Sequence, residues 1–359
     1  ENVAVRFESM LSNTTGSNNT AIGRCTLRTN TTAVRNTAVG AQALRDNTDG
    51  VCNTGMGVCA LMKNTTGANN TALGHQALIC NTTGPSNVAV GKSALAANTT
   101  AGGNTAVGFE ALDANTTGYS NQALGCGALG ANTTGHSNTG VGESALLINT
   151  TGFKNIAVGN NTLDSNTTGA ENVAVGHLAL GANTTGLRNT AIGCAALLAN
   201  TTANDNSGFG LKALCNVTTG IQNTAVGVKA GDNLTTGDSN IAVGYLTDFS
   251  GTNVDAEIVI GLGVTGSGGS TVTFGTGAGK VSNSFTSNAT WTQSSDRRLK
   301  NNIQNDTLGL SFINRLNPVT YNWKPSNEID QSLPYYKEVN EKDVDTTMHG
   351  LIAQDVKTA

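Results

Sequence analysis

Apolar positions in this chain return with a fixed period of 17, without a length error, from the first strand-like segment to beyond Gly244. One column reads Ile22, Val39, Met56, Leu73, Val90, Val107, Leu124, Val141 and onward to Val243. A second, offset by five, reads Leu27, Leu44, Leu61, Leu78, Leu95, Leu112 and onward to Leu214, usually after Ala. A Gly closes each apolar pair, from Gly23 and Gly40 to Gly227 and Gly244, and the polar phrase N-T-T-G separates one unit from the next. A fixed short period marks a solenoid, in which each unit buries its apolar face only against its neighbours. Helical repeats need units roughly twice this long, and the first column is rich in β-branched and bulky residues suited to a pleated surface. The pattern therefore predicts an all-β chain, a parallel β-roll or β-solenoid. Each coil is expected to hold two short strands, over the two apolar columns, with N-T-T-G and the post-strand Gly as turns. At the usual strand spacing, sixteen coils would form a rod roughly 75 Å long.

The most regular polar column is Asn: Asn2, Asn19, Asn36, Asn53, Asn70, Asn87, Asn104, Asn121, Asn138, Asn155, Asn172, Asn189, Asn206, Asn223 and Asn240. It reads as an inward-facing ladder, side-chain amides stacked at the strand spacing and bonded to one another and to turn backbone. Ala and Gly beside it imply close approach of another backbone. With Ala, Val and Leu as its apolar content a coil has little interior of its own, so the rods are expected to associate and bury a small-residue face between chains.

Composition narrows the function. Aromatic residues make up 4 % of the chain and charged residues 12 %, and the net charge of -4 comes with no Lys/Arg stripe, which argues against nucleic acid. No apolar run is long enough to span a membrane. His75, His136, His177 and His349 are too dispersed for a metal cluster, and no cofactor or metal is expected. Cys25, Cys52, Cys59, Cys80, Cys126, Cys194 and Cys215 fall in scattered columns and are expected mostly as small buried apolar residues.

The phrases N-T-A-V-G, N-V-A-V-G and N-T-A-I-G resemble the repeats of trimeric autotransporter adhesin heads over residues 2–248. That resemblance implies a parallel roll, three of which pack together, though the period here is longer. The phase persists for one more coil, since Glu257-Ile258-Val259-Ile260-Gly261 lies one full period after Asn240-Ile241-Ala242-Val243-Gly244, with Glu in place of Asn. Residues 249–290 then read as a Gly/Ser/Thr-rich β transition. Within it Gly261-Leu262-Gly263-Val264-Thr265-Gly266 matches the dinucleotide-binding spacing G-x-G-x-x-G. That fingerprint needs a helix to follow, and Ser267-Gly268-Gly269-Ser270-Thr271 does not start one.

Residues 291–359 differ in vocabulary. Ser295-Asp296-Arg297-Arg298-Leu299-Lys300-Asn301-Asn302-Ile303, then Tyr321-Asn322-Trp323-Lys324, then Gly350-Leu351-Ile352-Ala353-Gln354-Asp355-Val356 resemble, in order, three segments of the intramolecular chaperone of endosialidases and phage tail spikes. A capped helix is expected from Asp306 to Leu316, before Asn317-Pro318. The resemblance implies a small α+β module that trimerises, templates the fibre upstream and cuts the chain before its Ser. Carried over, Ser295 is the nucleophile and Lys300 the base of a self-cleavage dyad; a Lys can serve so when burial lowers its pKa. On spacing alone, Lys300 reads as a solvated basic residue beside Arg297 and Arg298. The family's module usually continues past its A-Q-E-V segment, so a shortened form is expected here.

Asn-Thr-Thr carries a second question. Asn13, Asn30, Asn64, Asn81, Asn98, Asn115, Asn132, Asn149, Asn166, Asn183 and Asn200 begin N-x-T acceptors, and two later repeats move the Asn back by one and keep the acceptor, at Asn216 and Asn233. If they are glycan acceptors, these side chains point outward as a sugar row along one edge; if not, Asn and Thr are good turn residues. Replacement of the column by Val217 and Leu234 is read as tolerance, hence as exposure.

These features converge on a structural fibre at a cell or virion surface, expected as a homotrimer, that is no enzyme beyond one self-cleavage. Two rivals remain: an adhesin or tail-fibre receptor-binding protein, whose receptor or glycan would be bound through regions not in this sequence, and a self-processing Ser/Lys protease.

Overall fold

The computed structural model describes residues 1–286, 292–293, 318–322, 324–325, 327–328, 345 and 347–350. Chain contacts divide it into two units, Glu1–Ser294 and Ser295–Ala359. The first is a parallel β-solenoid. Its strands run from β1 (Asn2–Val5) and its successor (Asn19–Ile22) to β16 (Ile258–Leu262), one per coil, each paired in parallel with the strand one period further along. Ala21 faces Ala38, and Ile241 faces Ile258, so the phase does continue into the coil that begins at Glu257.

Each coil contributes one strand, not two. The strand is the T-A-V segment, and its pattern alternates: Ala38 is buried while Thr37 and Val39 are half-exposed. The Leu column instead sits in a left-handed corner, with Gln42 at φ 61° and Leu44 at φ 51°, and the same pair recurs at Gln76 and Leu78. Non-glycine residues seldom adopt this conformation. Here it turns the chain sharply and aims Leu44, which is fully buried, at the coil's axis. The backbone groups of the corner are satisfied by the neighbouring coils, for example Leu44 N–H to Ala60 O at 3.0 Å and Leu61 N–H to Ala77 O at 3.0 Å. A second strand would need the extended conformation that this corner forbids.

The post-strand glycines have a direct steric cause. Gly40 has φ 124°, and a Cβ built on it would stand 2.6 Å from Gly57 O in the next coil. No side chain fits between coils at strand spacing there.

The interior belongs to each coil. The strand Ala column and the Leu column are fully buried from Ala21 and Leu27 to Leu214, with Ala242, Phe249 and Val259 closing the C-terminal end. The small-residue face expected between chains is therefore the core itself. Each buried Leu contributes on the order of 2 kcal/mol of hydrophobic stabilisation, and the rest of the cross-section is filled by Asn. None of the seven cysteines is fully buried; Cys126 and Cys194 are exposed, which corrects the expectation of buried apolar roles.

After β16 the sheet changes direction. β17 (Thr271–Thr276) still pairs in parallel with it, then β18 (Gly279–Ser284) and β19 (Thr292–Gln293) add antiparallel. The G-x-G-x-x-G stretch lies in this turn-back, with Gly261 paired to Gly275 inside the sheet. In the second unit, β20 (Val319–Tyr321) and β21 (Met348–Gly350) form an antiparallel pair with Tyr321 opposite Met348. The expected helix from Asp306 to Leu316 lies outside the described residues, as do Ser295 and Lys300.

Candidate functional site

Two Asn columns run through the roll. The first is the expected one. Each backbone N–H in this column donates to the Oδ1 of the Asn one coil earlier, in fifteen links of 2.9–3.1 Å from Asn19→Asn2 to Glu257→Asn240. The Nδ2 of each donates to a turn carbonyl in the coil ahead, as Asn121 does to Gly135 O at 2.8 Å. From Asn19 to Asn240 these side chains are buried.

The second is the N-T-T column, and here the outward orientation is overturned. Asn30, Asn64, Asn81, Asn98, Asn115, Asn132, Asn149, Asn166, Asn183 and Asn200 are all fully buried, as is Asn47. Their Nδ2 groups donate coil to coil to the preceding Oδ1, in eleven links of 2.7–3.2 Å from Asn30→Asn13 to Asn200→Asn183. The same Nδ2 also reaches a carbonyl of its own turn, so Gly135 O accepts from both Asn121 and Asn132. A short side chain with one donor end and one acceptor end is the chemical requirement for such a head-to-tail row. The nitrogen that would carry a sugar is the one that closes this ladder, so a glycan there would have to open the core. Of the thirteen acceptor positions, only Asn216 is exposed, and Asn13 and Asn233 are half-buried. The first Thr of the phrase bonds onward to the next coil, as Thr116 Oγ1 does to Thr133 O at 3.1 Å, while the second Thr faces solvent.

Both ladders stop where the chemistry runs out. Val217 and Leu234 occupy the second column and are fully buried. The Val217 side chain has no N–H to give, and Asn200 Oδ1 is accordingly buried with no hydrogen-bond partner. The displaced amides cap the backbone instead: Asn216 Nδ2 donates to Asp232 O at 2.6 Å, and Asn233 clips Phe249 through both its backbone groups, at 2.7 and 3.1 Å. The slipped acceptors are therefore a termination device. The first ladder ends at Glu257, fully buried, whose carboxylate accepts from Ser250 N–H, Ser250 Oγ and Gly268 N–H at 2.7–3.0 Å. A carboxylate accepts but does not donate, so no further rung follows.

At this terminus Asp248 stands beside Asp232, with its Oδ1 buried and unpartnered. Burial first, and the Asp232 charge second, lift the Asp248 carboxyl to about 6, with Lys229 opposing. Because the folded state holds the proton more tightly than the unfolded chain, this group's contribution is complete below about pH 4 and is lost as pH rises through about 6. Burial lifts Asp113 and Asp164 in the same direction, while Arg188 holds Asp205 down and acts oppositely. Protection factors of residues 231–266, exchange relative to the intrinsic rate at each pH, are expected to fall between about pH 5 and about pH 7, and Asp248→Asn is expected to flatten that change.

The outer strand face carries the β-branched and bulky column, from Ile22 and Val39 to Val243. Along sixteen strands the two outward positions, Val3 and Val5 through Ile258 and Ile260, hold no charged residue. Many are large and open to solvent: Leu124 is 50 % exposed, Leu73 47 % and Ile156 42 %. Isolated monomers rarely leave large apolar patches open to solvent, and here exposed apolar side chains recur from Val3 to Leu262, interleaved with uncharged Thr, Ser and Gln.

Residues 295–359 match the family described as chaperone of endosialidase. The C-terminal unit thus carries a chaperone domain of that family behind a β-solenoid of 17-residue coils. Within it the pairing of β20 with β21 brings Tyr321 and Gly350, each from a different quoted motif, into one sheet. No curated protein and no solved structure matches the chain. Among the described residues no helix is long and apolar enough to cross a membrane.

Proposed function

We propose that this chain is the shaft of a homotrimeric fibre displayed outside a cell or on a virion, assembled with the help of its C-terminal chaperone domain. The observation that carries this reading is the uncharged outer strand face. Its partner must offer a matching apolar surface over many coils, and the simplest object with the same axial repeat is a second copy of the chain. A parallel neighbour repeats its own face at the same spacing, so every coil meets an equivalent coil. The family match supports the same reading, because a solenoid built from non-local parallel pairings is slow to assemble and exposed to aggregation before its edges are covered.

Self-cleavage before Ser295 by Ser295 and Lys300 belongs to this proposal as a maturation step and rests on the family phrase alone. An outside substrate has no support.

Charge placed on the outer face tests the interface. Leu124→Lys with Ile156→Lys is expected to leave the circular dichroism of the roll unchanged, since both side chains lie outside the core, while shifting the sedimenting species from oligomer to monomer. An unchanged oligomer would place the interface elsewhere.

A further inference from the structure

One column just before the strand is unlike any other. It reads Pro85, Gly102, Tyr119, His136, Phe153, Ala170 in successive coils. Tyr119 and His136 stack with centroids 4.7 Å apart and planes 2° from parallel, and His136 and Phe153 stack at 5.3 Å and 16°. The rings thus lie one per coil at the strand spacing. The stack ends on one side above Ala170, which is buried. On the other side it ends with Tyr119, 51 % exposed, facing a coil in which this position and the next are both glycine, Gly102 and Gly103. No other coil of the roll lacks both side chains.

From this we infer that the step at Gly102–Gly103, between Pro85 and the open face of Tyr119, binds one neutral sugar ring. Pro85 forms the far wall, since a Cβ on Gly102 would stand 2.9 Å from its Cδ. The floor is open, since a Cβ on Gly103 would meet only Ser120, at 3.6 Å or more. Pro85 and Tyr119 are two coils apart, roughly 9.5 Å by the strand spacing. That is twice the ring spacing of the stack itself, which leaves one ring level between them, the level at which Gly102 and Gly103 supply no side chain. The lining of Pro85, Ser86, Gly102, Gly103, Tyr119 and Ser120 has no charge and offers two serine hydroxyls at the rim. A pyranose has the complementary make-up: an axial C–H face for the aromatic ring and an equatorial hydroxyl edge for serine. A nucleotide would require cations for its phosphate, and the lining has none.

This column precedes the strand and is separate from the outward strand positions that the proposed interface would cover. The neighbouring column carries Lys154, Glu171, Arg188 and Asp205 in later coils, and these pair along the rod at 3.4 Å and 2.7 Å. Charges of this kind mark a solvated side. The notch is complete within one chain, so sugar binding there does not depend on the oligomeric state.

The test uses the full chain, titrated with linear glucose, galactose and mannose oligosaccharides while the Tyr119 ring signals are followed by NMR saturation transfer. At least one series is expected to bind saturably. Tyr119→Ala should weaken it about tenfold or more, through loss of the stacking face. Gly103→Asn should do the same by filling the notch, and the backbone accepts it, because Asn18 and Asn69 hold the equivalent positions at φ 59° and 60°. Phe153→Ala, at the far end of the stack, should change affinity less than about twofold. Absence of saturable binding to any of the three series overturns the proposal. So does binding that survives both Tyr119→Ala and Gly103→Asn, or a preference for acidic over neutral oligosaccharides.

Discussion

Asn115→Ala is expected to cost the shaft about 3 kcal/mol, far more than a typical substitution at a turn. The side chain sits mid-ladder, donating to Asn98 Oδ1 at 3.0 Å and Gly118 O at 2.9 Å and accepting from Asn132 Nδ2 at 2.8 Å. Truncation strips Asn98 Oδ1 of its donor inside the core and leaves a hole that neighbouring coils, pinned by their own ladders, do not fill. Asn115→Asp should be worse at neutral pH, because it keeps the volume but replaces a donor with a buried charge. Thr117→Ala, close by with its side chain in solvent, is the control and should lie within about 0.5 kcal/mol of the parent. Urea unfolding of the three variants measures this. Equal midpoints for Asn115→Ala and Thr117→Ala would remove the ladder from any explanation of stability.

Deleting residues 291–359 is expected to abolish ordered fibres while leaving β-rich, aggregation-prone chains. On the proposed trimeric reading, three long rolls must find one register along a face that repeats every coil, and a repeating face tolerates slips by whole coils. A separate module that first brings chain ends together removes those alternatives, the role the chaperone family name implies. Ser295→Ala and Lys300→Ala probe a different property. If the dyad acts, either variant gives uncut chains on a denaturing gel where the parent gives two pieces, with fibres formed in every case. Normal fibres from the deleted chain, seen by electron microscopy, would make the module a passenger.

The architecture is legible in the sequence, and the orientation of its columns much less so. Period, the strand that precedes each Gly, parallel pairing and the first Asn ladder follow from spacing alone, because a solenoid writes its geometry once per coil, whereas the second strand expected over the Leu column does not form. The second ladder is misleading for an instructive reason. Val217 and Leu234 read as tolerated surface changes, yet an apolar residue replacing Asn is the mark of an interior slot at which the ladder ends. The acceptor-like Asn216 and Asn233 are the other half of that exchange. The β-branched column points outward, not inward, because Ala alternates with it and only a small residue fits above the Leu corner: a Cβ on Gly55, in the same inward column, would touch Leu44 at 3.5 Å. A left-handed Leu corner is not legible at all, since nothing in a Leu predicts φ in the left-handed region. The aromatic stack is visible in the sequence as Tyr119, His136 and Phe153 at intervals of 17, but only to a reader who already knows that this column faces outward.

If the uncharged outer face is an interface between copies of this chain, the mass of the particle in solution reveals it. Sedimentation equilibrium of the full chain at low micromolar concentration is the most direct measurement, because mass separates one roll from three without assuming a shape. The expected result is a single species of three times the 36.4 kDa chain mass, or of the cut shaft if self-cleavage has occurred. A stable monomer, with the apolar face open to water along its whole length, would contradict it.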